Sequence, residues 1–323
     1  MNNILKSNIR NLFLKTGINS VFFKNEINDG INSKIFLYAN NREKFVVKLY
    51  KNIHRLKREK LFYKFLKINN LKFTPKLLST DLKNKLIIFS FIKGKKVNKI
   101  SNNDLDKLIL FIRSLNLAKL KNLPLAIDGI KNRKNYLSLC QKKINDLKYI
   151  NNRKFSNKAL IKFLNQTLLP RFEIIKKNLR EKKFRKYLKI IENKYLIVSP
   201  SDIGFHNILK YKNDLYFYDF EYAGLDDPIK LICDFISQPD QQLSKSQKNK
   251  FINNKLFHKH NIKDIKFLVK IFLPLHRIKW CCIMLNEFKI IKKNNIYLTL
   301  TKRLYLKKQI DKTIKYYYKH FKK

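Results

Sequence analysis

Residues 20 to 93 show the alternation of apolar and polar side chains that is typical of strands, broken once by a stretch with helical spacing. That stretch covers residues 53 to 68, and its apolar side is formed by Leu56, Leu61, Phe62 and Phe65. The order of these segments predicts a small antiparallel sheet with one helix inserted after its third strand.

The remainder of the chain is mostly helical in pattern. Ser101 is a suitable N-cap for a helix over residues 102 to 117, short strands are predicted within 195 to 219, and helices follow from residue 228. The predicted fold class is therefore α+β. The change of pattern places the domain boundary after residue 93, which separates an N-terminal domain (1–93) from a helical domain (94–323).

Composition indicates a folded protein whose charge is a weak guide to its function. Hydrophobic residues make up 45% of the 323 residues and aromatic residues 13%, which suits a globular core. The formal net charge is +49, but the lysines are spread along the whole chain. Glycine is limited to 6 residues where average usage would give roughly 20, so a bias toward AT-rich codons explains the lysine excess. Proteins that bind nucleic acids concentrate their basic residues in a patch or stripe. Because the lysines of this chain are spread out, we expect no specific nucleic-acid partner.

No run of 18 uncharged apolar residues occurs, so we expect no transmembrane segment. The four cysteines lack metal-ligand spacing, which favours reduced, buried thiols and a cytoplasmic protein. The C-terminal segment, residues 314–323, mixes aromatic residues with lysine. We interpret it as a helix packed on the helical domain, and the alternative is a weak association with an anionic surface.

A short polar region between residues 199 and 221 carries the candidate chemistry. Asn213 and Asp214 mark a turn between two apolar runs. If the hairpin is centred near Asn213, Asn207 lies opposite Asp219, whereas a two-residue turn shifts the partner by one. Directly opposed residues lie about 4.5–5.5 Å apart. Amide and carboxylate oxygens are ligands that suit Mg²⁺, and Asp202 precedes the first strand closely enough to point the same way. The alternative is that these acids cap turns and face solvent.

A lysine and an acid upstream add to this pattern. Lys48 lies in the apolar strand F45-V-V-K-L-Y50, where an unpaired ammonium would be costly, so it should have an anionic partner. Glu59, in the following helix, is the predicted partner. Such a Lys–Glu pair is used elsewhere to hold a lysine against nucleotide phosphates.

The ordered set of Lys48, Glu59, D202-I-G-F-H-N207 and D219-F-E221 resembles the aminoglycoside phosphotransferase and choline kinase-like branch of the protein-kinase fold. The resemblance covers residues 20 to about 240. It implies a bilobal fold in which a small antiparallel-sheet N-lobe is followed by a larger, mostly helical C-lobe.

The resemblance also implies roles for single residues. Asp202 would be the catalytic base that orients a substrate hydroxyl, and Asn207 and Asp219 would hold Mg²⁺ on the phosphates of ATP. Lys48, positioned by Glu59, would contact those phosphates. The loop over residues 28–34 would cover them, and a hinge would bind adenine through its backbone. The loop residues are Gly30, Asn32 and Ser33, and the hinge residues are Ser90 and Ile92.

The resemblance is incomplete at one position. The family usually has a histidine two residues before the catalytic aspartate, whereas Pro200 stands there in this chain and Ser201 follows. An ATP-dependent small-molecule kinase is the predicted function. The alternative is an inactive nucleotide-binding pseudokinase or scaffold.

The acceptor substrate is expected to bind in the helical lobe. Helix residues 276–286 include Arg277, Lys279 and Trp280, which either wall an acceptor pocket or consist of a packed tryptophan with two solvated basic groups. Acids that could bind a cationic acceptor are few, the main ones being Glu221, Asp226 and Glu287. A hydroxyl on a neutral or anionic molecule is therefore favoured, such as a sugar or a glycan or lipid precursor, with an amino alcohol as a further possibility.

Overall fold

The computed structural model describes residues 3–29, 32–118, 122–148, 158–259, 265–289 and 299–321. The chain divides into two compact units. One unit, called the sheet unit, joins Met1–Gly129 with Ile197–Asp226, and the other, the helical unit, joins Ile130–Leu196 with Asp227–Lys323. The two units are defined by how compactly their residues pack, whereas the predicted boundary after residue 93 marks a change from strands to helices. That boundary therefore stays a prediction.

The sheet unit begins with a helix and a five-stranded antiparallel sheet of order β1-β2-β3-β5-β4. Its elements are α1 (Asn3–Leu14), β1 (Phe22–Asp29), β2 (Ser33–Ala39), β3 (Lys44–Tyr50), α2 (Ile53–Ile68), β4 (Leu77–Asp81) and β5 (Leu86–Ser90). The helix inserted after the third strand is α2, as the pattern predicts. The antiparallel sheet followed by a mostly helical remainder confirms the predicted fold class.

The core of this sheet is formed where α1 covers one of its faces. Ile9, Leu12 and Phe13 of the helix are buried against alternating residues of β2, β3 and β5. Phe13 packs edge-on against Phe45, with ring centroids 5.3 Å apart. Successive side chains of a strand point to opposite faces of the sheet, so the residues between these core residues lie on the face away from α1. Lys48 lies on that face.

The second part of the sheet unit supports a hairpin. Its elements are β6 (Lys95–Lys96), α3 (Asn102–Leu117), β7 (Ile197–Ser199), a 3₁₀ turn (Phe205–Asn207), β8 (Ile208–Tyr211), β9 (Asp214–Phe217) and β10 (Gly224–Asp226). Ser101 caps α3 in a capping box with Asp104, as predicted. Tyr211 pairs with Asp214, so the turn has two residues. Asn207 is therefore aligned with Tyr218, whose N–H donates to the Asn207 carbonyl at 3.2 Å, and the alignment with Asp219 is wrong.

The helical unit is built around one long helix, α11, which packs on α4, α8 and α12. Its elements are α4 (Asn135–Lys148), α5 (Lys158–Phe163), a π-helical turn (Leu164–Leu168), α6 (Leu169–Arg180), α7 (Lys182–Arg185), a 3₁₀ turn (Asn193–Tyr195), α8 (Pro228–Ser237), α9 (Lys245–Ile252), α10 (Lys255–Lys259), α11 (Ile265–Met284) and α12 (Leu300–Phe321). The four cysteines are free and buried, as predicted. In the described part of the chain, no helix combines the length and the apolar character needed to cross a bilayer.

Two expectations about the helical unit are settled. Lys279 is 6% exposed and forms an ion pair with Asp234, so the interpretation of two solvated basic groups on this helix is wrong for Lys279. In α12, Tyr316 and Tyr317 are buried, which agrees with a C-terminal helix packed on the helical unit. An association with an anionic surface stays a prediction.

Candidate active site

Lys48 is the centre of a buried ionic cluster in the sheet unit. Its ammonium is 2.8 Å from the Glu59 carboxylate, 2.6 Å from that of Asp219 and 3.3 Å from that of Glu221. The lysine is 4% exposed. The predicted Lys48–Glu59 pair is therefore confirmed as a contact, and Asp219, which is distant in sequence, meets the same ammonium.

Local structure explains how this cluster forms. Lys48 lies in β3 between two other strands, opposite Ile35 in β2 and Ile87 in β5. Glu59 belongs to the buried stripe of α2, three residues after Leu56 and three before Phe62. An acid within an otherwise apolar helix face must find a partner, and the strand that precedes the helix supplies it.

Hydrogen bonds fix the Glu59 carboxylate. The Tyr50 hydroxyl donates to one of its oxygens and the Phe220 N–H donates to the other at 3.1 Å. Burial lowers the pKa of Lys48, but the carboxylates of Glu59, Asp219 and Glu221 outweigh burial and raise it. The ammonium is therefore charged at any physiological pH.

Glu221 completes the cluster on its other side. Arg55 Nη1 lies 2.9 Å from Glu221 Oε1, and the Asn32 side-chain amide donates to the same oxygen at 2.8 Å. Oxygen atoms of Glu59, Asp219 and Glu221 lie within 4.8 Å of one another. Three carboxylates face two cations, Lys48 and Arg55, so the formal charge of the cluster is negative. Hard oxygen ligands with a surplus negative charge can hold a divalent cation.

The turn before β8 positions Asp202 and Asn207. The Asp202 N–H donates to the Pro200 carbonyl at 2.8 Å, and Ser201 adopts a φ of +64° to allow this tight turn. The Asn207 side-chain nitrogen donates to the Asp202 carbonyl at 3.0 Å, which leaves its oxygen as the atom to offer a cation. His206 Nε2 lies 3.2 Å from Asp202 Oδ2.

The predicted loop and hinge residues that the structure describes lie at or beside the start of β2 and the end of β5. Gly30 lies outside the described residues. Asn32 and Ser33 lie where the chain enters β2, and Asn32 contacts Glu221. Ser90 ends β5, and its backbone N–H donates to the Lys76 carbonyl at 2.9 Å. The predicted roles of these residues, and that of Ile92 two positions further, stay predictions.

Sequence reasoning missed several members of the site. Glu221 was assigned to an acceptor pocket, but it contacts Lys48, Arg55 and Asn32. Tyr50, as a donor to Glu59, and His206, as a partner of Asp202, were not expected. The one available signal was the position of Tyr50, two residues from Lys48 on the same side of β3. Of the other two expected acceptor acids, Asp226 is fully buried and Glu287 pairs with Lys302 at 2.8 Å.

Comparisons with known proteins agree on the fold. The sequence matches no family model, and no curated protein matches it significantly. Among solved structures, the spectinomycin phosphotransferase APH(9)-Ia, in complex with ADP and spectinomycin, matches at 13% identity with a TM-score of 0.64, over 96% of this chain and 98% of that one. The choline kinase LicA from Streptococcus pneumoniae matches at 12% identity with a TM-score of 0.58, over 97% and 100% of the two chains.

A third match, an ethanolamine kinase from Plasmodium vivax, has 16% identity and a TM-score of 0.61, over 98% of this chain and 90% of that one. At such low identity these similarities establish the fold. The chain thus has the protein-kinase-like fold shared by aminoglycoside phosphotransferases and choline and ethanolamine kinases, and the resemblance predicted from the sequence is confirmed at the level of fold. The structural neighbours themselves are small-molecule kinases.

Proposed function

We propose that the protein is an ATP-dependent phosphotransferase that transfers the γ-phosphate to a hydroxyl group of a small molecule. The observation that carries the proposal is the convergence of Glu59 and Asp219 on the buried Lys48, within the fold of small-molecule kinases. In protein kinases a strand lysine paired with a helix glutamate contacts the nucleotide phosphates, and a distant aspartate holds the metal ion beside them.

The residues of the site suit Mg²⁺ as well as ATP. Asn207 and Asp219 would hold the ion, which would neutralise charge on the phosphates, and the negative charge of the Lys48 cluster favours its binding. Lys48 would bind the phosphates as a fixed positive charge. The Asn32–Ser33 turn would lie over them, and the backbone around Ser90 and Ile92 would bind adenine.

Asp202 would orient the acceptor hydroxyl and receive its proton as the oxygen forms a bond to the γ-phosphorus and the bond to the β-phosphate oxygen breaks. A carboxylate is in general a weak base at neutral pH. Its contribution is therefore mainly orientation, and the charges around the phosphates stabilise the transition state.

The proposed acceptor is a neutral or anionic molecule with a free hydroxyl, such as a sugar or a glycan or lipid precursor. The structural neighbours named above act on spectinomycin, choline and ethanolamine. In this chain Glu221 forms ion pairs with Lys48 and Arg55, and Glu287 with Lys302. Both carboxylates therefore already have cationic partners within the protein. An amino alcohol is therefore the less favoured acceptor. Reduced thiols and the need for ATP favour a cytoplasmic location.

The test is a phosphorylation screen of small-molecule hydroxyl compounds with labelled ATP, run on three proteins. We expect Asp202→Ala to lower turnover by about 10²-fold or more, with ATP binding retained. Asp214→Ala is the matched control, because that side chain is half exposed in the β8–β9 turn and its weak ion pair with Lys107 should not matter. Turnover in Asp202→Ala equal to that in the control would refute the role of Asp202.

The second candidate is an inactive nucleotide-binding scaffold. It is favoured by Pro200, which stands where the family usually has a histidine and supplies only its backbone carbonyl to the turn before Asp202. Mg²⁺-dependent ATP binding without turnover in the wild-type protein, across the whole panel of acceptors, would support this candidate over the kinase.

A further inference from the structure

Several buried donor groups in the helical unit have no hydrogen-bond partner among the described residues. The side-chain atoms concerned are Arg171 Nε, Ser237 Oγ, Arg277 Nε and Trp280 Nε1. Buried polar atoms are nearly always satisfied, so a group of unsatisfied donors marks a place where an acceptor can bind. Arginine Nε and tryptophan Nε1 only donate, and their partner must therefore be an acceptor.

Arg277 and Trp280 form the focus of this group. They are three residues apart in α11, so their side chains leave the same face of the helix. The guanidinium of Arg277 forms no ion pair with any residue that the structure describes. A strong cation and an indole N–H on one side of α11 therefore both lack an acceptor among the described residues.

Further cations surround Arg277 from two other helices. Burial is the main reason that the pKa of Lys248 in α9 is lowered, and the charges of Arg277 and Lys319 lower it further. Burial and the charges of Arg277, Lys319 and Lys248 lower the pKa of His320 in α12 to about 4. These groups are close enough to repel one another, and none of Lys248, Lys319 and His320 forms an ion pair with a carboxylate among the described residues. An anion placed among them would relieve it.

A hydrogen bond and a ring contact connect the helices around these cations. The Tyr316 hydroxyl donates to the Ser237 carbonyl at 2.6 Å, which ties α12 to the end of α8. The His320 ring packs edge-on against Tyr316, with centroids 4.6 Å apart. Tyr316 also lies near Arg277, whose pKa is lowered by burial and raised by Tyr316. The donors are thus held by packed helices and not by mobile loops.

We propose that Arg277 and Trp280, with Lys248, Lys319 and His320 around them, form a binding site for a phosphate group in the helical unit. The fork of an arginine side chain binds phosphate through two parallel hydrogen bonds, and the indole N–H supplies a third. Three flanking cations suit a group that carries more than one negative charge. The site shares no residue with the Lys48 cluster and does not rest on the proposed kinase activity.

The test is a calorimetric titration of inorganic phosphate at fixed ionic strength, since a chain with a net charge of +49 binds anions loosely at many places. We expect one saturable site whose affinity falls at least about tenfold in Arg277→Gln. Arg303→Gln removes the same charge from an exposed position of α12 and should change the affinity less than about twofold. An equal loss in both variants, or no saturable site, would overturn the proposal.

Thermal unfolding keeps the test decisive. Without phosphate, Arg277→Gln should unfold no earlier than the wild type, because it removes an unsatisfied buried donor and a repelling charge. Phosphate should then raise the melting temperature of the wild type and not that of the variant. The proposal would also be overturned if Arg277→Gln had a lower melting temperature than the wild type without phosphate and if phosphate raised the melting temperatures of both proteins equally. Lys248→Gln repeats both measurements from another helix.

Two sources of the phosphate group can be distinguished by a second ligand. Glycerol 3-phosphate that binds at least about tenfold more tightly than inorganic phosphate would identify a phosphorylated small molecule as the ligand. Equal affinity would identify free phosphate. Both results support the site, provided that Arg277→Gln weakens both ligands.

Discussion

At the scale of single residues, the position of a side chain along the sequence predicted its contacts only where a strand or helix fixed its direction. Lys48 and Glu59 lie on a strand and the next helix, and their pair was predictable because both faces were apolar. The contact of Glu221 with Lys48 was not, because it depends on how a distant loop returns to the sheet. The contact of His206 with Asp202 depends on a 3₁₀ turn that no sequence pattern predicted.

His206 yields a testable prediction at this scale. Its Nε2 lies 3.2 Å from Asp202 Oδ2, and the Tyr218 hydroxyl donates to its carbonyl at 2.5 Å. The imidazole would therefore fix which Asp202 oxygen faces the acceptor hydroxyl. We expect His206→Ala to lower kcat by about tenfold while the KM for ATP is unchanged, because loss of orientation affects the chemical step.

The matched control for His206 is His54→Ala, which removes an exposed histidine from α2. Steady-state kinetics of both variants, with the acceptor found in the screen, make the measurement. A fall in kcat of the same size in His54→Ala, or an increase in the KM for ATP alone in His206→Ala, would contradict a positioning role for His206.

At the scale of elements, the sequence predicted the type of most segments but not their register. The turn residues between β8 and β9 allowed two alignments, and Lys212, with a φ of +50°, occupies the left-handed position in the two-residue turn that forms. Lysine is not a residue that favours this conformation, so the sequence contained no signal for it. The start of α8 was easier to predict, because an aspartate before a proline is a standard helix start. Asp227 is the N-cap of this helix.

The second prediction concerns this helix start. The Asp227 carboxylate accepts hydrogen bonds from the Ile229 N–H at 3.0 Å, from Arg133 at 2.8 Å and from the Tyr136 hydroxyl at 3.2 Å. Asp227 is fully buried. We expect Asp227→Ala to reduce the free energy of unfolding by about 3–5 kcal/mol, because it leaves the buried Arg133 without a counter-charge.

Ser244→Ala is the control for Asp227, since Ser244 caps α9 in a capping box without a buried ion pair. That loss should be about 1 kcal/mol. Urea unfolding of both variants gives the comparison. Equal losses would show that Asp227 stabilises the fold as a cap alone.

At the scale of the whole molecule, the order of segments along the chain did not show which segments form each compact unit. Residues 197–226 join the sheet unit although the preceding 67 residues, 130–196, belong to the helical unit. Periodicity is a local property, and closing a loop of that length costs little more entropy than closing a shorter one, so no local signal marks the return. The net charge of +49 is a weak guide at this scale too, since the Lys48 cluster depends on a few buried groups.

The third prediction uses one of those buried groups to set the response of the helical unit to acid. His276 is 2% exposed, and burial is the main reason that its pKa falls to about 4, although Asp234, which its Nδ1 contacts at 2.8 Å, acts in the opposite direction. Between an unfolded pKa of about 6.5 and the folded value, the unfolded chain binds one more proton than the folded chain. The free energy of unfolding should therefore fall as the pH falls from 6.5 toward 4, by up to about 1.4 kcal/mol for each pH unit from this group.

The measurement is urea unfolding of the wild type and His276→Gln at several pH values from about 7 to about 5. Asp234 contributes little to the slope in this range, because Lys279 and Lys230 help to hold its folded pKa well below 3.8 and its protonation in the unfolded chain begins only below about pH 5. The variant can lose stability at every pH, since it also loses the Asp234 contact, so the slope with pH is the quantity to compare. A slope in His276→Gln as steep as that of the wild type would show that His276 does not set the acid response, and that other groups in the chain take up the protons.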